Sequence, residues 1–234
     1  MTGTLTGVGL GPGDPDLITL RAARLIQAAP VIAYPAPDTG TSFARAIAAD
    51  LIPEAAVEIA ITVPMRAARF PAQAVYDQAA ADVARHLSKG RDVVVLCEGD
   101  PFFYGSFMYL YDRLKGDFPT QVVPGVTSLT TCAARAARPL CARNEPLTIL
   151  PAPLDDAALT ARLQQPGAVA LMKVGRHLDR LRRLLGDLGL ARRAVYVAHA
   201  SLPQETVLPL DQAPAPAPYF SMILIPGQDP YAAS

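Results

Sequence analysis

Val93-Val94-Val95-Leu96-Cys97-Glu98-Gly99-Asp100-Pro101, closed by Gly105, decides how this chain is read. Its first five residues are apolar and mostly β-branched, the pattern of a strand buried on both faces of a parallel sheet. Gly99 and Pro101 then stop the run, and residues 106–114 resume with helical spacing. The same strand–loop–helix arrangement occurs twice more. Residues 5–8 lead into Gly9-Leu10-Gly11-Pro12-Gly13-Asp14-Pro15, and residues 121–123 lead into Pro124-Gly125-Val126-Thr127-Ser128. Glycine in such loops lets a ligand approach backbone N–H and C=O groups with no Cβ in the way. In an open α/β sheet the ligand crevice lies beyond the carboxyl ends of the strands. Three such loops in one half of the chain predict one cofactor site.

Outward from these loops, strand and helix patterns alternate, so a mostly parallel sheet is expected. Ile18, Ala22, Leu25, Ile26 and Ala29 form a helical stripe, with Asp16 as its expected N-cap. Residues 31–34 read as a short strand stopped by Pro35, 43–51 as helical, 57–63 as extended, 72–87 as a long helix and 120–123 as a strand. A second series follows, with helices over 127–137 and 155–163 and strands over 147–150, 168–172, 194–198 and 219–225. Between them Leu178, Leu181, Leu184, Leu185 and Leu188 make an apolar helical face. The expected fold is α/β, with an N-terminal domain over residues 1–125 and a C-terminal domain over 126–234.

At 234 residues with 51% hydrophobic and 18% charged side chains, a sizeable core is expected. Basic and acidic residues balance at 21 each, which argues against nucleic-acid binding through a broadly basic surface. No apolar run reaches the ~18 residues of a membrane helix, and the N-terminus lacks a signal-peptide pattern. Cys97, Cys132 and Cys141 form no CxxC pair, which suits a reducing cytoplasm. His86, His177 and His199 are scattered and match no metal-ligand spacing, so no metal is expected.

Each loop carries two readings. The first fails the dinucleotide fingerprint, because Asp14 stands where GxGxxG needs its last glycine and Pro12 removes a donor N–H; this speaks against a nicotinamide oxidoreductase. It is otherwise a tight strand-to-helix turn. Asp100 is placed to accept hydrogen bonds from a ligand or to cap the chain that follows. Thr127 and Ser128 offer hydroxyls to a ligand or to the start of a helix.

Together, Gly9-x-Gly11-Pro12-Gly13-Asp14, Glu98-Gly99-Asp100-Pro101-x-x-Tyr104-Gly105 and Pro124-Gly125-Val126-Thr127-Ser128 resemble the signature of the S-adenosylmethionine-dependent tetrapyrrole (uroporphyrin/corrin) methylases. The runs Ala170-Leu171-Met172-Lys173-Val174-Gly175-Arg176 and Val197-Ala198-His199-Ala200-Ser201 agree with it. Within the family, Val63-Pro64-Met65, the run from Met172 to Arg176 and the run from Gly99 to Phe107 are similar to the branch that methylates C20 of precorrin-2 in cobalamin biosynthesis. A sister branch, acting on the cobalt-containing substrate or on another ring carbon, is the alternative. So, in another class, is a non-catalytic tetrapyrrole carrier. Siroheme-making relatives carry Tyr-Asp-Arg after the second strand. Here that strand ends Tyr34-Pro35-Ala36-Pro37, which leaves the base unassigned.

The resemblance implies two α/β domains, the second with a mixed sheet, and S-adenosylmethionine bound between them, with S-adenosylhomocysteine as product. Carried over, it places Pro12, Glu98, Gly99, Asp100, Phe103, Thr127 and Ser128 along the cofactor, with Met172, Ala200, Tyr219, Phe220 and Ser221 toward the adenine. Tyr104 is a weak catalytic candidate. A carboxylate-rich tetrapyrrole calls for a basic rim, for which Arg66, Arg69, Arg143, Lys173 and Arg176 are the candidates. A cytoplasmic homodimer is expected.

Overall fold

The computed structural model describes residues 1–63 and 71–227. The expectations at Arg66 and Arg69, and at Pro64 and Met65, lie outside the described residues. The chain divides into two units, Met1–Thr127 and Ser128–Ser234.

In the first unit β1 (Leu5–Gly9), α1 (Leu20–Gln27), β2 (Val31–Pro37), α2 (Phe43–Ile47), β3 (Val57–Val63), α3 (Pro71–Leu87), β4 (Val93–Cys97), α4 (Phe107–Leu114) and β5 (Thr120–Val123) follow in order. The five strands pair in the order β3-β2-β4-β1-β5, all parallel. The continuous apolar run of β4 has a direct cause. Val93, Val95 and Cys97 pack on one face with Tyr76, Val83 and Leu87 of α3 and Phe107 and Leu110 of α4. Val94 and Leu96 pack on the other with Ala22 and Ile26 of α1 and Ala44 and Ile47 of α2. Each such side chain, fully buried, contributes about 1.5–3 kcal/mol, so the central strand tolerates no polar face. After β1 the chain turns to α1 on one face of the sheet; after the neighbouring β4 it turns to α4 on the other. The helices after these adjacent strands therefore leave to opposite faces, and such a switch point at the carboxyl ends is where an α/β sheet places its ligand crevice.

The second unit holds α5 (Ser128–Arg135), β6 (Leu147–Pro151), α6 (Asp156–Leu163), β7 (Ala168–Met172), α7 (Leu178–Asp187), β8 (Val195–Ala198), β9 (Thr206–Pro209) and β10 (Ser221–Ile225). Its sheet is mixed, in the order β6-β7-β10-β8-β9. Only β6 and β7 pair parallel; the other neighbours are antiparallel. The leucine face of α7, with Leu178, Leu181 and Leu185 buried, packs in one core with Leu159 and Leu163 of α6 and with Tyr196 and Ile223 of the sheet.

Several expectations need correction. Pro35 does not stop β2, which runs to Pro37. The strand pairs with β4 only through Ala33, so its two prolines fall where one neighbour is already gone and a ladder donor is not needed. Asp16 does not cap α1. A 3-10 turn over Pro15–Leu17 intervenes, capped by Asp14, and the Thr19 hydroxyl caps α1 by accepting from the Ala22 N–H. Residues 43–51 split into α2 and a 3-10 turn at Ala49–Leu51. The helix expected over 127–137 covers only Ser128–Arg135. The last strand begins at Ser221, so Tyr219 and Phe220 precede it. β9, a four-residue edge strand, was not anticipated.

Candidate active site

In the first unit the three loops are locked together through their backbones. Gly11 and Gly99 exchange both hydrogen bonds, the Gly99 N–H donating to Gly11 C=O at 2.8 Å and the Gly11 N–H to Gly99 C=O at 3.2 Å. Gly125 lies so close to Gly9 that a Cβ on Gly9 would stand 2.5 Å from the Gly125 Cα and 2.6 Å from the Gly99 carbonyl oxygen. Gly99 has φ +65°, a conformation that costs other residues energy. Asp100 completes the assembly. Its Oδ1 accepts from the N–H of Phe102 (2.9 Å) and of Phe103 (3.0 Å), and its Oδ2 accepts from Gly125 N–H (3.0 Å), 25 residues along the chain. Of the two readings open for Asp100, the capping one is therefore satisfied in a specific form: the carboxylate shapes its own loop and ties it to the loop after β5.

Glu98, half-buried directly after β4, has its carboxyl raised above the usual range by burial, opposed by a hydrogen bond from the Ala44 backbone. Pro12 is half-buried, Phe103 half-buried and Thr127 half-buried on the same set of loops. Tyr104 is exposed (47%) and sits at φ +57°, its ring edge-on to Phe103 at 5.2 Å between centroids. Burial lifts the Cys97 thiol well above its ordinary value and pushes the Cys132 thiol up to about 12, so neither is a ready nucleophile.

In the second unit the residues carried over from the resemblance gather at one end of the sheet. Met172 ends β7, Ala200 follows β8, and Ser221 opens the antiparallel β10 between them. Met172, Ala200 and Ser221 are buried, whereas Tyr219 (63%) and Phe220 (38%) are exposed. Ser221 Oγ donates to the Pro218 carbonyl (2.6 Å) and accepts from Gly175 N–H (3.4 Å), and His199 N–H donates to Phe220 C=O (2.9 Å). The Ser201 N–H donates to Glu205 (2.7 Å), itself ion-paired with Arg135 of α5 at 2.7 Å. Lys173 and Arg176 stand exposed on the loop after β7. Arg143 does not join them. It precedes β6, and the neighbouring Leu140 carbonyl accepts from Gly227 N–H past the far end of β10, so Arg143 belongs to the opposite end of this sheet.

One signal was invisible in the sequence. Among the described residues six non-glycine residues have positive φ, and three of them, Lys173 (+60°), His199 (+50°) and Ser201 (+68°), occupy the loops after β7 and β8. Such backbone costs about 1–3 kcal/mol at each position and concentrates at functional sites. His199 and Ser201, which flank Ala200, belong to the run that agrees with the family but are not among the site residues that the resemblance places. Among the described residues no group of three or more His, Cys, Asp or Glu side chains is placed to hold a metal ion, and no helix is long and apolar enough to cross a membrane.

This geometry has known counterparts. A profile described as tetrapyrrole (corrin/porphyrin) methylases matches residues 4–214. The chain belongs to the tetrapyrrole methylases. A precorrin-2 C(20)-methyltransferase from Sinorhizobium sp is 38% identical over 234 residues, covering 96% of each chain. A cobalt-precorrin-2 C(20)-methyltransferase from Salmonella typhimurium is 33% identical, covering 99% of this chain and 100% of the other. Among solved structures, a cobalt precorrin-4 methyltransferase, CbiF, superposes with a TM-score of 0.75 at 25% identity, over 94% of this chain and 93% of the other. The tetrapyrrole methylase fold accounts for the all-parallel first sheet and the mixed second one.

Proposed function

We propose that this chain transfers a methyl group from S-adenosylmethionine to C20 of precorrin-2, in the synthesis of cobalamin. The observation that carries the reading is its end-to-end likeness to the Sinorhizobium precorrin-2 C(20)-methyltransferase. The locked loop assembly at the carboxyl ends of β1 and β4 supports it: Gly9 and Gly125 let the loop backbones touch, while Gly99 faces open space where a ligand can approach the backbone.

The site residues that the resemblance places are the proposed contacts of the methyl donor. Pro12, Glu98, Gly99, Asp100, Phe103, Thr127 and Ser128 would hold it from the loops of the first sheet and the start of α5. In the second unit Met172, Ala200 and Ser221, with Tyr219 and Phe220, are the residues that the family likeness assigns to the donor. S-adenosylmethionine supplies a methyl group on a sulfonium that becomes a neutral thioether. The tetrapyrrole supplies its own carbon nucleophile, so the protein's part is chiefly alignment and exclusion of water, and alignment is worth about 7–11 kcal/mol at best. In this scheme Asp100 positions: it holds the loop backbones that meet the ligand. Lys173 and Arg176 are the proposed partners of the substrate carboxylates, to which a guanidinium can bond bidentately. Tyr104, exposed on the loop after β4, is the proposed neighbour of the reacting ring.

A second reading, methylation of the cobalt-containing substrate, has the Salmonella relative in its favour. Incubating the protein with S-adenosylmethionine and either metal-free or cobalt-loaded precorrin-2, with mass analysis of each product, separates the two. A gain of one methyl on the metal-free ring supports the first reading, and a gain on the cobalt ring alone supports the second. We place the protein in the cytoplasm, since its three free thiols suit a reducing compartment. A homodimer is part of the same proposal: exposed Phe102 and Tyr109 give the first unit apolar surface that a second copy would cover. Light scattering checks it, a mass near 24.8 kDa counting against it.

A further inference from the structure

The second unit contains a cavity that the methyl-transfer reading does not use. It has a volume of about 450 Å³, within the range of small-molecule sites. About half of its lining is apolar, from Ala194 and Val195 at the start of β8, Val207, Leu208 and Pro209 of β9, and Pro226 just past β10. Three arginines, Arg138, Arg192 and Arg193, line it as well. Among the described residues no acidic side chain lines it; the Glu145 carboxylate lies against Gly227 at one margin.

Its position separates it from the candidate active site. Met172, Ala200 and Ser221 lie where β7 and β8 end and β10 begins, whereas the cavity lies where β8 begins and β10 ends. The length of β10 puts roughly 13 Å between Ser221 and Ile225. Arg193 is held over the cavity by a hydrogen bond from its guanidinium to the Pro226 carbonyl oxygen. Arg138 follows α5, where its N–H closes the helix on Ala133 C=O, and Arg192 lies in the 3-10 turn Ala191–Arg193. Thus four separate stretches of chain line one concavity, and two of them bring its positive charge.

We propose that this cavity is a second ligand site, for a small organic anion with two or three carboxylates on a flat apolar body. The guanidinium groups match carboxylates in geometry and charge. The valine, leucine and proline walls match an apolar ring and give a free inorganic oxyanion nothing to pack against.

The test uses the full chain and benzene-1,3,5-tricarboxylate as probe, followed by amide NMR shifts at low salt. Citrate and pyrophosphate serve as multivalent anions without an apolar ring. Saturable shifts are expected at Val195, Val207 and Leu208, with the ring tricarboxylate binding about tenfold more tightly than either comparison anion. In the double variant R138Q/R192Q, which alters only exposed side chains, affinity should fall about fivefold or more, with methyl transfer and melting temperature unchanged. Rising salt should weaken binding. The proposal is overturned if no shifts appear at those three residues, if the double variant binds the probe as tightly as the parent, or if pyrophosphate matches the ring tricarboxylate.

Discussion

Replacing Asp100 by alanine should loosen two loops at once. Its carboxylate takes three backbone N–H groups, from Phe102, Phe103 and Gly125, at 2.9–3.0 Å. A hydrogen bond to a charged group contributes about 1.5–3 kcal/mol, and a donor left without a partner costs about 1–3 kcal/mol when buried. Asp100 is half-buried, so water can rescue part of this, and the three bonds share one acceptor group and will not add fully. The expected loss for Asp100→Ala is therefore about 2–4 kcal/mol, a drop in melting temperature of about 4–16 °C for a chain of this size. Asp100→Asn is the sharper perturbation. The remaining oxygen can still accept from Phe102 and Phe103, while the amide NH2 meets the Gly125 N–H, so only the tie between loops breaks. Hydrogen exchange should then speed at Gly125 and stay slow at Phe102 and Phe103, and S-adenosylhomocysteine affinity measured by calorimetry should fall in both variants. If Asp100→Ala melts within about 1 °C of the parent, the carboxylate does not hold the loops and the reasoning fails.

Other expectations follow from charge and position. Burial raises the Glu98 carboxyl above its unfolded value, so its ionisation costs stability as pH rises from the unfolded value through the folded one. Relative to the parent, Glu98→Gln should accordingly be more stable at pH 8 than at pH 4 in thermal melts; an advantage that grows toward acid would contradict this. At Glu58 the sign is opposite: the Arg45 guanidinium bonded to it at 2.6 Å holds its carboxyl below the usual range. Its stabilisation is present above the unfolded value of about 4.3 and lost as pH falls through the folded one, so the melting deficit of Arg45→Ala should vanish in acid. Because the pair is partly exposed, that deficit should be about 1 kcal/mol or less. Single Lys173→Ala and Arg176→Ala variants should raise the tetrapyrrole KM and spare cofactor affinity, with kcat little changed; unaltered KM in both would remove them from the rim.

The strands of the first sheet were legible because burial on two faces leaves an unbroken apolar run, as in β4, and because the glycine loops that end them have few other uses. The fold was also readable through α7, whose leucines repeat at helical spacing. Features set by long-range geometry were not. Pro35 reads as a strand breaker unless one knows that β4 has already stopped pairing beside it. β9 is four residues whose partner, β8, is set by tertiary pairing and which carry little local pattern. At the candidate site, Asp100 was legible as a strand-end carboxylate, but its bond to Gly125 joins positions that no local window links. The left-handed backbones of Lys173, His199 and Ser201 leave no mark in the sequence, since none is glycine, asparagine or aspartate. Arg143 reads like any other loop arginine, and only the direction of β6 separates it from Lys173 and Arg176.

The fate of a labelled methyl group shows where the transfer goes. The protein is incubated with metal-free precorrin-2 and S-adenosylmethionine carrying a carbon-13 methyl, and the product is read by carbon-13 NMR. A C20 methyltransferase gives a single new labelled methyl resonance, attached at C20, appearing together with S-adenosylhomocysteine. Label on a different ring carbon, or none transferred while S-adenosylhomocysteine binds the folded protein, would contradict it.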